Sequence, residues 1–248
     1  MVYILHLETS TKVCSVALSL NGQLIATKEV EEDGYSHGEN LTLFIQDVLH
    51  QSDISIKELS AVSVASGPGS YTGLRIGVST AKGICYPLNI PLIAIDSLTS
   101  LTEIAKIKHP NVNLCSLIDA RRMEVFNTIY NSKNEQLKPI SADIIDIDTY
   151  SEFEPFVFFG DGTEKLIELW EGRNCEPDME IKSTAAGQVN IAFEKFQNNQ
   201  FEDTAYFEPF YLKDFLSTAK KAWLRYKFYN VSHYKIHSVE LSLIQNAY

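Results

Sequence analysis

A glycine-rich loop between a strand-like run and a helix is the feature that most constrains the fold of this chain. Residues 59–66 are a continuous run of small and apolar side chains, which is typical of a strand covered on both faces. Residues 67–77 then read Gly-Pro-Gly-Ser-Tyr-Thr-Gly-Leu-Arg-Ile-Gly, and the glycines at 67 and 69 free the backbone for a turn from strand to helix. Amide groups at the start of such a helix can bind an anion. A structural turn with close helix–sheet packing explains the same residues equally well.

The elements around this loop predict a mixed α/β fold. Asn21-Gly22 predicts a tight hairpin, because type I′ turns need positive φ at both central residues. We expect Pro87 and Pro91 to end the helix that follows the glycine loop. Strands are predicted at 3–8, 13–20, 23–30, 59–66, 92–95, 112–118, 123–130 and 156–159, and helices at 36–49, 73–86, 97–107, 163–170 and 184–196.

This order is that of the actin-like ATPase and sugar-kinase (ribonuclease H-like) superfamily, with two duplicated lobes built on mixed central sheets. We predict a first lobe over residues 1–110 and a second over 111–208. Residues 209–215 are expected to return to the first lobe. Residues 216–248 form an atypical tail that carries five Lys or Arg and one acid. The tail is interpreted as an addition that touches nucleic acid, an accessory helix, a poorly ordered extension or a sequence artefact.

The net charge of −11 argues against a protein that binds nucleic acid by itself, because an acidic surface repels the phosphate backbone. We therefore expect contact with nucleic acid only through a partner. The chain has no run of about 20 apolar residues and no signal-peptide pattern, which predicts a cytoplasmic protein without a membrane span. Its four cysteines form no Cys-x-x-Cys pair, which favours buried free thiols over a zinc site.

Four ordered motifs resemble those of the TsaB (YeaZ) family. The stretch 67–77 is similar to the family's GPGSFTGLRIG signature, and residues 4–10 (Ile-Leu-His-Leu-Glu-Thr-Ser) are similar to its I-L-x-I-D-T-S start. Residues 36–41 resemble its H-S-E-x-L helix start, with the Ser-Glu pair altered. Residues 119–126 (Asp-Ala-Arg-Arg-Met-Glu-Val-Phe) are similar to DARRGEVY, with Met123 in place of glycine.

The resemblance implies an actin-like fold and a partnership with the catalytic paralogue, TsaD. In that family the complex transfers a threonylcarbamoyl group from its adenylate to N6 of adenosine 37 in tRNAs that read ANN codons. An ATPase called TsaE joins the two proteins. The resemblance further implies a heterodimer with the TsaD-like subunit and a homodimer when the protein is alone.

Two positions predict that this chain is not itself the enzyme. The catalytic paralogue holds a metal ion through two histidines four residues apart on a helix, a spacing that places both imidazoles on one face. Ser97 and Leu101 stand at those places here, and neither replaces an imidazole. We therefore predict no metal, no catalytic residue and a scaffold role. A small-molecule kinase or ATPase of the same fold is the alternative, and a homodimeric binding protein outside tRNA modification is a third.

The nucleotide cleft of the actin-like fold is predicted to be vestigial. Residues 119–122, where a second phosphate loop belongs, contain no glycine. No cofactor is expected, and weak nucleotide binding stays open as the alternative to a relic turn. The residues assigned to the vestigial cleft are Glu8, Thr9, Ser10, Gly67, Gly69, Ser70, Gly160 and Gly162.

Two surfaces are predicted to contact the catalytic partner. One is the helix that begins near Ser36, whose stripe at helical spacing faces either the partner or its own sheet. Arg121 and Arg122 are the second candidate, as a contact for a partner carboxylate; the alternative is a solvated pair bonded to local acids such as Glu124. The interface residues assigned to the helix are His37, Leu41, Leu43, Phe44, Ile45 and Val48, with Leu43 on the opposite side of the stripe.

Overall fold

The computed structural model describes residues 1–31 and 37–213. The first lobe is built on a five-stranded sheet in the order β3-β2-β1-β4-β5. Strands β1, β2 and β3 are joined antiparallel, whereas β4 and β5 run parallel to β1. The bounds are β1 (Tyr3–Glu8), β2 (Val13–Leu20), β3 (Gln23–Glu31), β4 (Ala61–Gly67) and β5 (Leu92–Asp96).

The Asn21-Gly22 hairpin is confirmed. Asn21 has φ +50° and Gly22 has φ +79°, in the left-handed region that Asn and Gly enter most readily. Packing also requires a glycine at position 22, because a Cβ there would lie 2.6 Å from Cδ1 of Phe193. The turn therefore fixes the register of β2 and β3 and also packs on the last helix of the described chain.

Both faces of the first sheet are covered. Helices α1 (His37–Gln51) and α2 (Tyr71–Leu88) pack on the face that carries Leu5 and Leu7. Helix α4 (Val189–Gln197) packs on the other face, where Ala192 meets Ile4 and Ile93. Burial on both sides explains why β1 and β4 read as nearly continuous apolar runs.

Helix α2 ends two residues later than predicted. It continues through Pro87 to Leu88, and Asn89 caps it with φ +51° and a backbone N–H that donates to the carbonyls of Cys85 and Tyr86. A proline in the last turn removes one helical hydrogen bond but leaves the preceding turns intact, so Pro87 does not stop the helix.

The second lobe repeats the topology of the first. Its sheet has the order β10-β9-β6-β7-β8, with β6, β7 and β8 antiparallel and β9 and β10 parallel to β6. Numbered within each lobe, both sheets therefore have the order 3-2-1-4-5, and the predicted duplication is confirmed. The bounds are β6 (Asn113–Asp119), β7 (Glu124–Tyr130), β8 (Gln136–Ile144), β9 (Phe156–Phe159) and β10 (Cys175–Asp178), with α3 (Ser97–Lys108) between the lobes in sequence.

Three local predictions for the second half need correction. Strands β8 and β10 were not predicted, since β8 is a largely exposed edge strand without clean alternation. The helix predicted over 163–170 is wrong: a 3-10 turn at Glu164–Leu166 is followed by further turns, because Leu166 and Trp170 fold into the second-lobe core. The helix predicted over 184–196 divides into a 3-10 turn (Ala185–Gln188) and α4.

Residues 201–213, here called the return segment, run back over the first lobe. The backbone N–H of Glu202 donates to Leu92 O (2.9 Å) and that of Phe210 donates to Ser66 O (2.7 Å). Lys213 then forms an ion pair with Glu124 at the start of β7. The return segment therefore closes the edge of the first lobe and ends on the second.

Two predictions lie outside the described residues. They are the start of the predicted helix at Ser36 and the interpretation of the tail over 216–248. Within the described part of the chain, no helix is both long enough and apolar enough to cross a lipid bilayer.

Candidate functional site

The glycine loop packs directly against the loop that follows β1. Ser70 N donates to Ser10 O at 2.6 Å, and Thr9 Oγ1 donates to Gly73 O at 2.8 Å. A Cβ at Gly69 would lie 2.3 Å from Ser10 O, and one at Gly73 would lie 2.0 Å from Thr9 O. These glycines are thus required by close approach of two backbones, and the predicted cleft residues of the two loops do come together.

The amide groups that begin α2 are largely used within the protein. Ser70 is the N-cap: its Oγ accepts from Gly73 N at 3.2 Å and its carbonyl accepts from Leu74 N at 2.8 Å. Gly67 has φ +111° and lies under the return segment, where a Cβ would be 2.5 Å from Phe210 O. An anion that approached this loop would have to displace existing hydrogen bonds.

Glu8 is fully buried at the end of β1. Its carboxylate accepts from Ser10 N at 2.8 Å, and the Nε2 of Gln188 lies 3.5 Å from it. Burial raises the pKa of Glu8, and the hydrogen bonds from Ser10 and Gln188 oppose that rise. A buried carboxyl at this point disfavours a phosphate beside it.

Gly160 and Gly162 pack within the second lobe. Gly160 has φ +101°, and a Cβ there would lie 2.1 Å from Leu117 O and 2.8 Å from Cδ2 of Leu101. A Cβ at Gly162 would lie 3.1 Å from Cβ of Leu117 and 3.2 Å from Cγ1 of Val125. Their neighbours are therefore the backbone and core of β6 and β7, rather than the glycine loop of the first lobe.

Ser97 and Leu101 are completely buried in the first two turns of α3. Leu101 belongs to the apolar core shared with Leu98 and Phe159. Asp96 caps this helix, with Oδ1 accepting from Thr99 N at 2.7 Å, and burial raises the pKa of Asp96 to about 6. Within residues 1–31 and 37–213, no three His, Cys, Asp or Glu side chains gather where they could hold a metal ion.

The apolar stripe of α1 faces its own sheet, which corrects part of the predicted interface. Leu43 alone of the six assigned residues is exposed, at 55%. The other five are buried, and the four apolar ones lie in the core of the first lobe, so their side chains are not available to a partner. The buried five are His37, Leu41, Phe44, Ile45 and Val48, and the side chains that share the outer face with Leu43 are Glu39, Thr42, Gln46, Asp47 and His50.

His37 connects α1 to the loop after β1. Its Nε2 is 2.9 Å from Thr11 O, and its Cδ2 would lie 3.3 Å from a Cβ at Gly73. Burial lowers the pKa of His37, which favours the neutral ring that donates to the carbonyl. The start of the helix and the cleft loops therefore form one packed unit, a contact that the sequence did not reveal.

Arg121 and Arg122 are exposed at the turn between β6 and β7. Both have positive φ, +71° and +53°. Of the alternative of a solvated pair bonded to local acids, the bond to Glu124 is not formed: the Glu124 carboxylate pairs with Lys213, and Lys165 pairs with Asp119.

A buried polar network that the sequence analysis missed joins β1, β2, β4 and the turn before α4. Gln188 Nε2 donates to Leu7 O at 2.9 Å, so its Oε1 accepts from Ser63 Oγ at 2.7 Å. Ser63 Oγ then accepts from His6 Nδ1–H at 2.7 Å, and His6 Nε2 accepts from Ser19 Oγ at 2.8 Å. Burial lowers the pKa of His6 to about 3, so the ring is neutral. A histidine and serine within apolar strands are the only sequence signal for this network.

Comparison with known proteins assigns the chain to a family. A family model described as "TsaD: tRNA N6-adenosine threonylcarbamoyltransferase" matches residues 31–236. The Haemophilus influenzae "tRNA threonylcarbamoyladenosine biosynthesis protein TsaB" is 33% identical over 123 residues, which are 50% of this chain and 51% of that relative. The Escherichia coli protein of the same description is 26% identical over 230 residues, which are 85% of this chain and 94% of that relative. The chain belongs to the TsaB (YeaZ) family.

A solved TsaB/YeaZ fold supports the architecture. A Pseudomonas aeruginosa protein described as similar to YeaZ superposes with a TM-score of 0.75 at 22% identity, covering 86% of this chain and all of that one. The named relatives confirm the prediction of the TsaB family, and the two sheets and this likeness confirm the predicted α/β fold with two mixed central sheets. The TsaB relatives are named for tRNA threonylcarbamoyladenosine biosynthesis.

Proposed function

We propose that this chain is the non-catalytic scaffold subunit for threonylcarbamoyl transfer in the cytoplasm. The group would move from its adenylate to N6 of adenosine 37 in tRNAs that read ANN codons. Catalysis would belong to a TsaD-like subunit, and a TsaE-like ATPase would complete the assembly. The burial of Ser97 and Leu101 is the observation that carries this proposal.

A metal site at Ser97 and Leu101 would have to be built inside a core. Leu101 offers no donor atom and packs with Leu98 and Phe159, and a hydroxyl alone does not replace two imidazoles. Leu101 packs α3 against Leu114 and Ile118 of β6. This favours a structural use of the helix that carries the metal ligands in the catalytic paralogue.

The packing of the glycine loop against the loop after β1 argues for weak nucleotide binding or none. A phosphate at the glycine loop would compete with the hydrogen bond from Ser70 N to Ser10 O and would meet the buried carboxyl of Glu8. Neither a cofactor nor ATP turnover by this chain is proposed. Titration of the purified chain with ATP and Mg²⁺ in a calorimeter tests this, and steady ATP hydrolysis by the chain alone would instead favour the kinase or ATPase alternative.

The outer face of α1 is proposed as the docking surface for the catalytic subunit. Leu43 is the large apolar side chain on that face, and its neighbours there are polar and exposed. An exposed leucine gives the ridge of a second helix an apolar side chain to pack against. In the absence of the catalytic subunit, the same face would pair two copies of this chain.

Reconstitution tests the proposed function. The TsaD-like and TsaE-like proteins of the same organism are mixed with tRNA, ATP and threonylcarbamoyl-adenylate, with and without this chain. Modified adenosine is measured by mass spectrometry. We expect product only when this chain is present and none from this chain by itself. Full activity of the partners without it would reject the proposal.

Leu43→Asp tests the docking surface. Burying the exposed half of a leucine is worth about 1 kcal/mol, and a carboxylate in its place must be desolvated, so Kd for the catalytic subunit should rise about tenfold or more. The matched control is Ile107→Asp on α3, which is 84% exposed. If calorimetry gives the same Kd for both variants and for the wild type, Leu43 is not part of the interface.

A further inference from the structure

The turn between β6 and β7 holds two arginines in a backbone conformation that suits them poorly. Arg121 and Arg122 have φ of +71° and +53°. Side chains with a Cβ are strained in this region by about 1 kcal/mol or more each, and only Gly, Asn and Asp enter it readily. The same protein uses Asn21-Gly22, with φ +50° and +79°, where it needs two such residues in succession.

Internal contacts hold this turn in place from several directions. Lys165 Nζ donates to Arg122 O at 3.0 Å and to Glu124 O at 2.6 Å. The Asp119 carboxylate accepts from Arg121 N at 3.1 Å. Two of these bonds use the backbone of the arginines and the third uses the carbonyl of Glu124, so all three would survive replacement of both arginine side chains. The guanidinium groups are therefore not what maintains the turn.

The acids beside the turn are already neutralised by other cations. Asp119 pairs with Lys165, and Glu124 pairs with Lys213. Within the part of the chain that the structure describes, neither guanidinium takes part in an ion pair, and both side chains are exposed. Four positively charged side chains thus lie around one turn of an otherwise acidic protein. Two of them, Arg121 and Arg122, form no ion pair with the described residues.

The neighbours of the turn favour a protein ligand over a nucleic acid. Met123 is 39% exposed and Ile144 is 79% exposed. Ile144 pairs with Glu124 across β7 and β8, and the N–H of Ile145 donates to Met123 O, so both apolar side chains lie beside the turn. An RNA backbone offers these side chains little, whereas a polypeptide supplies carboxylates and apolar groups together.

We infer that the Arg121–Arg122 turn is a recognition site for carboxylate side chains on an acidic, partly apolar segment of a protein partner. The positive φ of both arginines lowers the stability of the hairpin and leaves two guanidinium groups exposed. Each guanidinium can bind a carboxylate through two parallel hydrogen bonds. This deepens the proposed function and rests on it, because the partner to be tested is the TsaD-like subunit.

The test is the double variant Arg121→Asn with Arg122→Gly, which copies the residues of the protein's own relaxed turn. Binding of the full chain to the TsaD-like subunit is measured by calorimetry at 50 and 200 mM NaCl. We expect Kd to rise at least tenfold at 50 mM, the difference to shrink at 200 mM, and Tm to stay level or rise. Arg121→Lys with Arg122→Lys should recover part of the affinity, because charge is kept without the forked geometry.

The control is Lys57→Gln with Lys133→Gln, which removes two exposed positive charges elsewhere. An unchanged Kd in the Asn-Gly variant, or a loss no larger than that of this control, would overturn the inference while wild-type binding still upholds the proposed function. Loss of tRNA affinity by the complex with protein binding intact would assign the turn to phosphate and also overturn it. If the wild type itself does not bind the subunit, the proposed function fails and this inference fails with it.

Discussion

Two glycines of helix α2 provide a matched test of how tightly the glycine loop is packed. A Cβ at Gly73 would lie 2.0 Å from Thr9 O and 3.3 Å from Cδ2 of His37, whereas a Cβ at Gly83 would meet nothing within 4 Å. Relieving the contact at Gly73 requires a backbone shift of about 1 Å, and overpacking of this kind costs about 3 kcal/mol. Alanine gains up to about 1 kcal/mol over glycine inside a helix.

Gly73→Ala should therefore lower the free energy of unfolding by about 2 kcal/mol, while Gly83→Ala raises it by up to about 1 kcal/mol. For a protein of this size the pair should differ in Tm by about 6 to 12 °C. Thermal unfolding followed by circular dichroism measures both variants under one buffer condition. If the two substitutions move Tm in the same direction and by similar amounts, the backbone contact between the loops is not as close as described.

Gly73→Ala has a second expected effect, on binding. The substitution pushes on the loop after β1, and Thr11 of that loop receives the hydrogen bond from His37 at the start of α1. We expect the variant to weaken binding to the catalytic subunit, although no α1 surface residue is altered. Gly83→Ala serves as the control with unchanged α1 packing.

Two further predictions concern buried polar groups. Gln188→Leu leaves Leu7 O without its amide donor and removes the acceptor for the Ser63 hydroxyl. The free energy of unfolding, measured by urea titration, should therefore fall by about 3 kcal/mol. The control Gln200→Leu, at an exposed position, should change it very little. Asp96 has a folded pKa of about 6, above its ordinary 3.8, so the wild type loses stability as pH rises through about 6. Asp96→Asn keeps a capping side chain and should be about 1 kcal/mol more stable than the wild type at pH 8, with no advantage at pH 4; an equal difference at both pH values would contradict the role assigned to burial.

The features predicted well from sequence are those set by neighbouring residues. The Asn21-Gly22 turn follows from the φ preferences of two adjacent residues, and the buried stripe of α1 follows from helical spacing. The direction of that stripe did not follow, because spacing does not say whether an apolar face meets its own sheet or a partner. Leu43 was the position that pointed to the outer face of α1, since it is the apolar residue on the otherwise polar side of that helix.

The features missed depend on residues far apart in the chain. Gln188 bonds a carbonyl 181 positions earlier, and no local pattern marks an amide for that role. The edge strand Gln136–Ile144 carries little alternation, because none of its side chains is fully buried on either face. The positive φ of Arg121 and Arg122 was equally hidden, since arginine gives no sign of a left-handed turn.

The return segment makes the first lobe dependent on the last part of the described chain to be synthesised. All five strands of its sheet have been translated by residue 96, yet the carbonyls of Ser66 and Leu92 receive their donors from Phe210 and Glu202. At about 5 to 20 residues per second, roughly 6 to 20 s of elongation separate the two events. Throughout that interval the carbonyls of Ser66 and Leu92 in a nascent first lobe lack these two donors, so the hydrogen bonds beside the glycine loop can be completed only after residue 210 has been made.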